Sequence, residues 1–365
     1  MSASPSPLSS ASPASTPSAY RPPASTPSVS RRPASSPPGP SPAPSPPSSA
    51  ARTPSSSAPG SPAPAASAPG FRGPASPAPA ASELLPPSAV VARLRAAGCV
   101  FAEDEARLLV STARTADDLA AMVERRVAGL PLEHILGWAE FCGLRIAVDH
   151  GVFVPRRRTE FLVRQAAEHV RRRADGGTAG TGGAPRRPAP VVLDLCCGSG
   201  AVGAALAAAV GRTELYAADI DPAAVRCARR NTAAASGQVY EGDLYEPLPA
   251  GLRGRVDVLV ANAPYVPTRA IGLLPPEARV HEPRAALDGG ADGVEIQRRV
   301  AAEAPRWLAP GGCLLIETSE RQAPYTAEAM ARAGLVPRVT TCDELETGVV
   351  LGTMPDPERE IRAGR

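Results

Sequence analysis

Four places in this chain put ligand-holding residue types directly after an apolar run. At residues 193–203, "LDLCCGSGAVG" passes from apolar residues through Cys196, Cys197, Gly198, Ser199 and Gly200 into an alanine-rich stretch. Gly198 and Gly200 permit a tight turn and a close approach of backbone to a ligand. The spacing resembles a G-x-G-x-x-G dinucleotide loop but puts Cys196 where the first glycine usually stands. Taken alone it is also compatible with an ordinary structural turn. About twenty residues on, "AADIDP" brings Asp219 to the end of the next apolar run, where a carboxylate can accept both hydroxyls of a ribose. Asp221, just ahead of Pro222, reads instead as a helix N-cap. "EGDLYEPL" then offers Asp243, able to accept from an exocyclic amine, and Leu244, able to pack on an adenine face. Asp243 also fits a plain turn position. Finally "VLVANAPYVP" ends a buried strand in Asn262, Ala263, Pro264 and Tyr265, placing an amide, a rigid imide and an aromatic ring at the mouth of a sheet.

The surrounding pattern supplies elements to position these groups. After Pro190, strands and helices alternate: "VVLDLCC", "GAVGAALAAAV", "ELYAADI", "DPAAVRCARRNTAAA", "QVYEGDL", "VDVLVAN", "EIQRRVAAEAPRWL", "GCLLIET" and "RQAPYTAEAMARAG", then two short strands. Such alternation predicts an α/β fold with an open, mostly parallel, Rossmann-like sheet that binds ligands at the carboxyl ends of its strands. Upstream, "SAVVARLRAAG", "AEDEARLLVSTA" and "ADDLAAMVERRVAG" carry apolar residues at helical spacing and stop at glycine or a turn. "FCGLRIAVDHGVFVP" alternates like a hairpin, "TEFLVRQAAEHVRRR" returns to helix, and "ADGGTAGTGGAPRRPAP" reads as a flexible loop. The expected organisation is a tail over 1–81, a small helical domain over 82–137, a hairpin, helix and linker over 138–190, and the α/β domain over 191–365.

Glycine-rich and acidic strand ends in this order look like a class I S-adenosylmethionine-dependent methyltransferase. "NAPY" resembles the N-P-P-Y of enzymes that methylate planar amino nitrogens. "PLEHILGWAEFCGLRIAVDHGVFVPRRRTE" and "EPRAALDGGADGVEIQRRVAAEAPRWLAPGGCLLIE" are similar to segments of the HemK/PrmC-type protein-glutamine methyltransferases. The resemblance spans about residues 83 to 354. It implies S-adenosylmethionine as cofactor, held by Cys196, Cys197, Gly198, Ser199, Gly200, Asp219, Asp243, Leu244 and Asn262. It further implies an NH2 clamp made of the Asn262 side-chain oxygen, the Ala263 carbonyl, Pro264 and the Tyr265 ring. The implied acceptor is a protein glutamine, in known members the Gly-Gly-Gln glutamine of a peptide-chain release factor, which the helical domain helps to grip. Two departures stand out. Ala263 replaces the first proline but keeps its carbonyl, and "PRRRTE" replaces the usual "PRPETE", so that Arg157 and Arg158 stand for Pro and Glu.

Composition sets the remaining bounds. The first 81 residues, rich in Pro, Ser, Ala and Thr, have too little large apolar surface to offset ordering entropy and read as a disordered tail. They lack the apolar core of a secretory signal. A partner-binding or phosphorylated segment fits them, and an upstream start codon fits equally. They hold five of the 39 basic residues and no acid, so the rest carries 34 arginines against 36 acids, a formal −2. A near-neutral body does not suggest direct nucleic-acid binding. The roughly 280 residues beyond the tail suffice for one large domain and a small one. Seven cysteines without CxxC spacing, and His134, His150, His169 and His281 without ligand spacing, suggest no disulfide framework and no metal. No apolar run is long enough to span a bilayer. Together these point to a cytoplasmic protein away from membranes. Trp138 and Trp307 read as core anchors. A nucleic-acid amino-methyltransferase uses the same clamp, and a catalytically dead cofactor-binding adaptor would fit Ala263 and "PRRRTE".

Overall fold

The computed structural model describes residues 85–175 and 188–356. These fall within one compact unit, Ser76–Arg365. The expected tail over 1–81, and residues 176–187 of the expected loop, lie outside them.

Helices α1 (Pro87–Ala96), α2 (Ala102–Thr112), α3 (Ala116–Val127) and α4 (Leu132–Leu136) open the described chain. Their apolar spacing buries Val90, Leu94, Leu109, Leu119, Met122 and Val123 in a core of their own. Thr115 caps α3 by accepting from the Asp118 N–H, and Gly137, at φ 78°, ends α4 in the left-handed region where glycine is unstrained.

The hairpin differs from expectation. It runs through β1 (Trp138–Phe141) and β2 (Leu144–Ala147), and the chain beyond it is irregular, with Val148, Val152 and Val154 buried. The reason is local. Cys142 and Gly143 both take positive φ, 50° and 73°, the pair of left-handed residues that closes a two-residue turn. Alternation along β1 turns Ala139 and Phe141 inward, so Trp138 faces outward beneath the Arg145 guanidinium, 3.8 Å from its ring centre. Trp138 is therefore no core anchor. Trp307 is one, buried and stacked on Tyr245.

After α5 (Glu160–Asp175) the chain builds β3 (Val191–Leu195), α6 (Ala201–Val210), β4 (Glu214–Asp219), α7 (Pro222–Thr232), β5 (Gln238–Glu241) and β6 (Val256–Ala261). It continues through α8 (Pro276–His281), α9 (Glu295–Glu303), β7 (Leu308–Thr318), α10 (Ala323–Arg332), β8 (Val336–Cys342) and β9 (Thr347–Thr353). The strand order is β5-β4-β3-β6-β7-β9-β8. The first five strands are parallel, and β9 and β8 add antiparallel pairs. All five residues of β3 are buried, as a strand covered on both faces requires. One core, with Leu193, Leu259 and Leu314, packs under α9 and α10, and another, with Val192, Val258 and Leu315, under α5 and α6. Each such fully buried leucine or valine contributes about 1.5–3 kcal/mol.

Chain order reverses at β3, which lies between β4 and β6, and a crevice opens at such a reversal. The register makes the strand ends level. Leu195 pairs with both Ala218 and Ala261, and Ala261 pairs with Ile316. One residue further along, Cys196, Asp219, Asn262 and Glu317 therefore form a single row across the carboxyl edge.

Candidate active site

The turn from β3 into α6 is wound tightly. Cys196, Gly198 and Gly200 take φ of 55°, 54° and 76°. A Cβ on Gly200 would meet the Ala228 Cβ at 2.9 Å, so that glycine serves the packing of the loop on α7. Asp219 secures the loop. Its Oδ2 accepts from the Gly198 N–H at 2.8 Å, and its Oδ1 from the Asp221 N–H at 2.9 Å. Asp221 caps α7 by accepting from the Ala223 N–H. Asn231 on α7 donates to the Ser199 and Ala147 carbonyls, each at 2.8 Å, tying the loop to the hairpin. Behind the loop, Asp194 is sealed from water and accepts from the Gly203 N–H at 2.8 Å. Burial pushes its carboxyl up to about 7, against the pull of that N–H. Burial also raises the Asp219 carboxyl, with the two N–H donors opposing it.

At the next strand end, Asp243 is held by Arg299 at 2.6 Å. Leu244 stands at φ 49°, a left-handed conformation costing a non-glycine residue of order 1 kcal/mol.

The NAPY segment leaves β6 and is braced from below. The Val266 N–H donates to the Leu287 carbonyl, and the Gly289 N–H returns to the Val266 carbonyl. Gln322, at the N-cap of α10, donates to the Tyr265 carbonyl at 2.8 Å. A Cβ on Gly289 would lie 2.7 Å from the Pro264 carbonyl oxygen, so the "ALDGG" stretch must be bare there to pass under the clamp. Asn262 donates through Nδ2 to the Thr159 hydroxyl at 3.3 Å, which leaves its Oδ1 for another partner. Burial, reinforced by the nearby Glu317 charge, pushes the Tyr265 hydroxyl up to about 12.

A cavity of about 650 Å3 joins these parts. Cys196, Cys197, Gly198, Ser199, Asp219, Asp243 and Leu244 line one end, and Asn262, Ala263, Pro264 and Tyr265 the other, with Gly200 behind the wall. The structure thus brings every candidate read from the sequence but Gly200 to one cavity. It adds residues that were not singled out: Thr159, Phe153 and Arg156 from the segment before α5, Glu282 and Leu287 from the stretch after α8, and Arg299. Arg156 pairs with the buried Glu282 at 2.5 Å, while Arg158 reaches only the edge of Glu317, at 3.5 Å. The helical module also contributes Pro131 and Glu133. Arg126 on α3 binds Glu105 on α2 and Glu277 on α8, fastening the module to the acceptor wall.

The residues present fit S-adenosylmethionine. An acid closes β4, a second acid and an apolar side chain follow β5, and beside them the loop after β3 leaves open space at Gly198, where a Cβ would meet nothing within 4 Å. Among the described residues, no group of three or more His, Cys, Asp or Glu side chains is placed to hold a metal, and no helix is long and apolar enough to cross a membrane.

Sheet order, glycine loop and strand-end acids are those of a class I S-adenosylmethionine-dependent methyltransferase. Residues 184–333 match the family described as methyltransferase small domain. A release factor glutamine methyltransferase of Geobacter sulfurreducens is 38% identical over 232 residues, 62% of this chain and 75% of that protein. One of Mycolicibacterium smegmatis is 36% identical over 247 residues, 66% of this chain and 82% of that protein. A 4-amino-L-phenylalanine/4-methylamino-L-phenylalanine methyltransferase of Streptomyces pristinaespiralis is 35% identical over 227 residues, 61% of this chain and 73% of that protein. The chain belongs to the release factor glutamine methyltransferase family.

Proposed function

We propose that this chain methylates the side-chain amide nitrogen of a protein glutamine, the Gly-Gly-Gln glutamine of a peptide-chain release factor, in the cytoplasm where translation terminates. Relatives carrying that name support the acceptor, and the orientation of Asn262 supports the chemistry. Its amide nitrogen is spent on Thr159, so its oxygen is the atom free to accept from an NH2.

Gly198, Asp219, Asp243 and Leu244 would hold S-adenosylmethionine, which supplies an electrophilic methyl group on a sulfonium. Asn262 Oδ1 and the Ala263 carbonyl accept the two N–H bonds of the acceptor amide, and the Tyr265 ring covers its plane. An amide lone pair is delocalised and weakly nucleophilic, so alignment and exclusion of water carry the rate. As the nitrogen takes the methyl from the sulfonium, which would leave as the neutral thioether, the two oriented oxygens stabilise the positive charge that develops on it, and the proton it then sheds passes to solvent.

The test is methyl transfer by the purified chain to a release factor, read by mass spectrometry of the Gly-Gly-Gln peptide. A factor with that Gln→Ala and an adenine-containing duplex serve as controls. Labelling of the duplex, or of the Gln→Ala factor, sinks the assignment. One observation favours a second acceptor. Arg158, its side chain 45% exposed, offers a guanidinium at the acceptor end where the related pattern has Glu. That cation suits the carboxylate of a free amino acid with an aromatic amine, so 4-amino-L-phenylalanine belongs in the same assay.

A further inference from the structure

We propose that Glu317 and Thr159 are positioning residues for methyl transfer: with the acceptor seated, the Thr159 hydroxyl donates a hydrogen bond to the buried Glu317 carboxylate and so accepts from Asn262 Nδ2, turning the Asn262 oxygen toward the acceptor. The proposal rests on the reading above only in needing an acceptor with an NH2 group, whichever molecule carries it.

Three observations converge. Glu317 stands in the same row as Asn262, since the residues before them, Ile316 and Ala261, are paired. It is 1% exposed, stands one residue before the end of β7 in the sheet interior, and neither of its side-chain oxygens has a hydrogen-bond partner. Arg158 Nε lies 3.5 Å from its Oε1, Thr159 is the next residue along the chain and holds the neighbouring Asn262, and the Thr159 and Tyr265 hydroxyls pull its carboxyl down. Two of these belong to the acceptor end itself: Thr159 holds Asn262, and Tyr265 forms the aromatic wall. Thr159 is buried at 2% exposure, at the turn that starts α5, so its hydroxyl has no competing solvent.

The logic is that of a single proton. A hydroxyl has one hydrogen to give and lone pairs to receive. With that hydrogen directed to a carboxylate, Thr159 presents only lone pairs to Asn262, and the amide must meet it with NH2. The two ends of an asparagine amide have nearly the same shape, so packing cannot choose between them. The wrong orientation would set donors against the donors of the acceptor. Glu317 thereby fixes Asn262 through Thr159 and Tyr265 through its hydroxyl, making one carboxylate the common anchor of both halves of the clamp. Hydrogen bonds left open in the unliganded site form when the acceptor is seated.

Protonation gives the arrangement a signature. Burial raises the Glu317 carboxyl, opposed by Thr159, Arg158 and Tyr265. Arg158 and Tyr265 are the charged and titratable groups facing it, and from α9 the neutral Gln297 amide approaches its backbone carbonyl. A protonated Glu317 donates to Thr159, whose own hydrogen then goes to Asn262 and reverses the amide. Activity accordingly falls on the acid side as Glu317 takes its proton.

The experiment uses the full chain, with kcat measured on the release factor. The side-chain amide NMR signals of Asn262, assigned by their loss in Asn262→Ala, are followed in the S-adenosylhomocysteine complex. Thr159→Val should lower kcat about tenfold or more while the affinity for S-adenosylmethionine stays within about twofold, and Thr159→Ser should restore most of the rate. In the wild type, the Asn262 signals should titrate with the midpoint of the acid limb, and Glu317→Gln should abolish that titration. Unchanged kcat in Thr159→Val, a serine variant no better than the valine one, or Asn262 signals indifferent to both substitutions overturns the proposal. The wild-type titration decides the matter if a variant fails to fold. A wild type that leaves the release factor unmethylated refutes the acceptor instead, and the NMR arm still tests the relay.

Discussion

The two ends of the cavity are built on opposite plans. At the cofactor end, backbone does the work. Asp219 accepts from two N–H groups, Asp221 caps a helix, and the Cys196–Gly200 turn is held by Asp219 in the next strand and by Asn231 on α7, so that its polar groups have partners. At the acceptor end, side chains from distant segments meet, and the polar groups are under-supplied with partners. Both Glu317 oxygens and one Glu282 oxygen are buried without a hydrogen bond of full geometry. A cofactor of fixed structure permits a finished site, whereas an acceptor that arrives as a separate molecule meets groups whose hydrogen bonds are still open. Unmatched buried carboxylates cost stability, and functional sites are where such a cost is retained.

That contrast can be broken most sharply at Asn262. Asn262→Ala should lower kcat by roughly 100-fold, as loss of one oriented electrostatic group does, and leave S-adenosylmethionine affinity nearly unchanged. Equal losses in both would show that the two ends are not separate. Asp219→Ala should do the reverse, weakening S-adenosylmethionine binding by about 1–3 kcal/mol through loss of a charged acceptor and of the brace on Gly198. Calorimetry that finds wild-type affinity would end the ribose assignment.

The next effect lies in pH. Because burial raises the Asp194 carboxyl to about 7, the folded protein holds a proton there that the unfolded chain has released. This contribution to stability is complete below the ordinary carboxylate range near 3.8 and is lost as pH rises through about 7. Asp194→Asn, whose oxygen can still accept from Gly203, should therefore melt a few degrees above wild type at pH ~8, with the gap closing on acidification. A constant gap across that window would refute the account. The smallest change expected is Cys196→Gly, which relieves a left-handed side-chain-bearing residue and should add about 0.5–1 kcal/mol in denaturant titration. A loss would mean that the thiol packs better than the strain costs.

The cofactor end was legible in the sequence because its signals are local: two glycines, an acid closing each of two strands, a proline behind a capping aspartate. The acceptor end was legible only at NAPY. Thr159 lies 103 residues from the Asn262 it touches, and no periodicity links the two. Glu317 did carry a usable sign, since "CLLIE" ends an apolar strand in an acid just as "YAAD" does. Its relevance depended on strand order, which sets β7 beside β6. The hairpin was displaced because turn conformation at Cys142 and Gly143 outranked the alternation that continues to Pro155. Trp138 misled because a large ring at a strand's start can lie outward when a neighbouring arginine covers it.

The bare Cα of Gly289 has a consequence for how this family can change over time. With the Pro264 carbonyl oxygen 2.7 Å from where a Cβ would sit, the two segments share one volume. Any lineage that enlarges residue 289 must first move the loop that presents Asn262 and Tyr265. Substitutions that keep the path of the main chain, such as alanine for proline at 263, remain open to drift. On this geometry NAPY and "ALDGG" should change together, and a natural variant that enlarges residue 289 is to be sought among proteins whose NAPY loop takes another path.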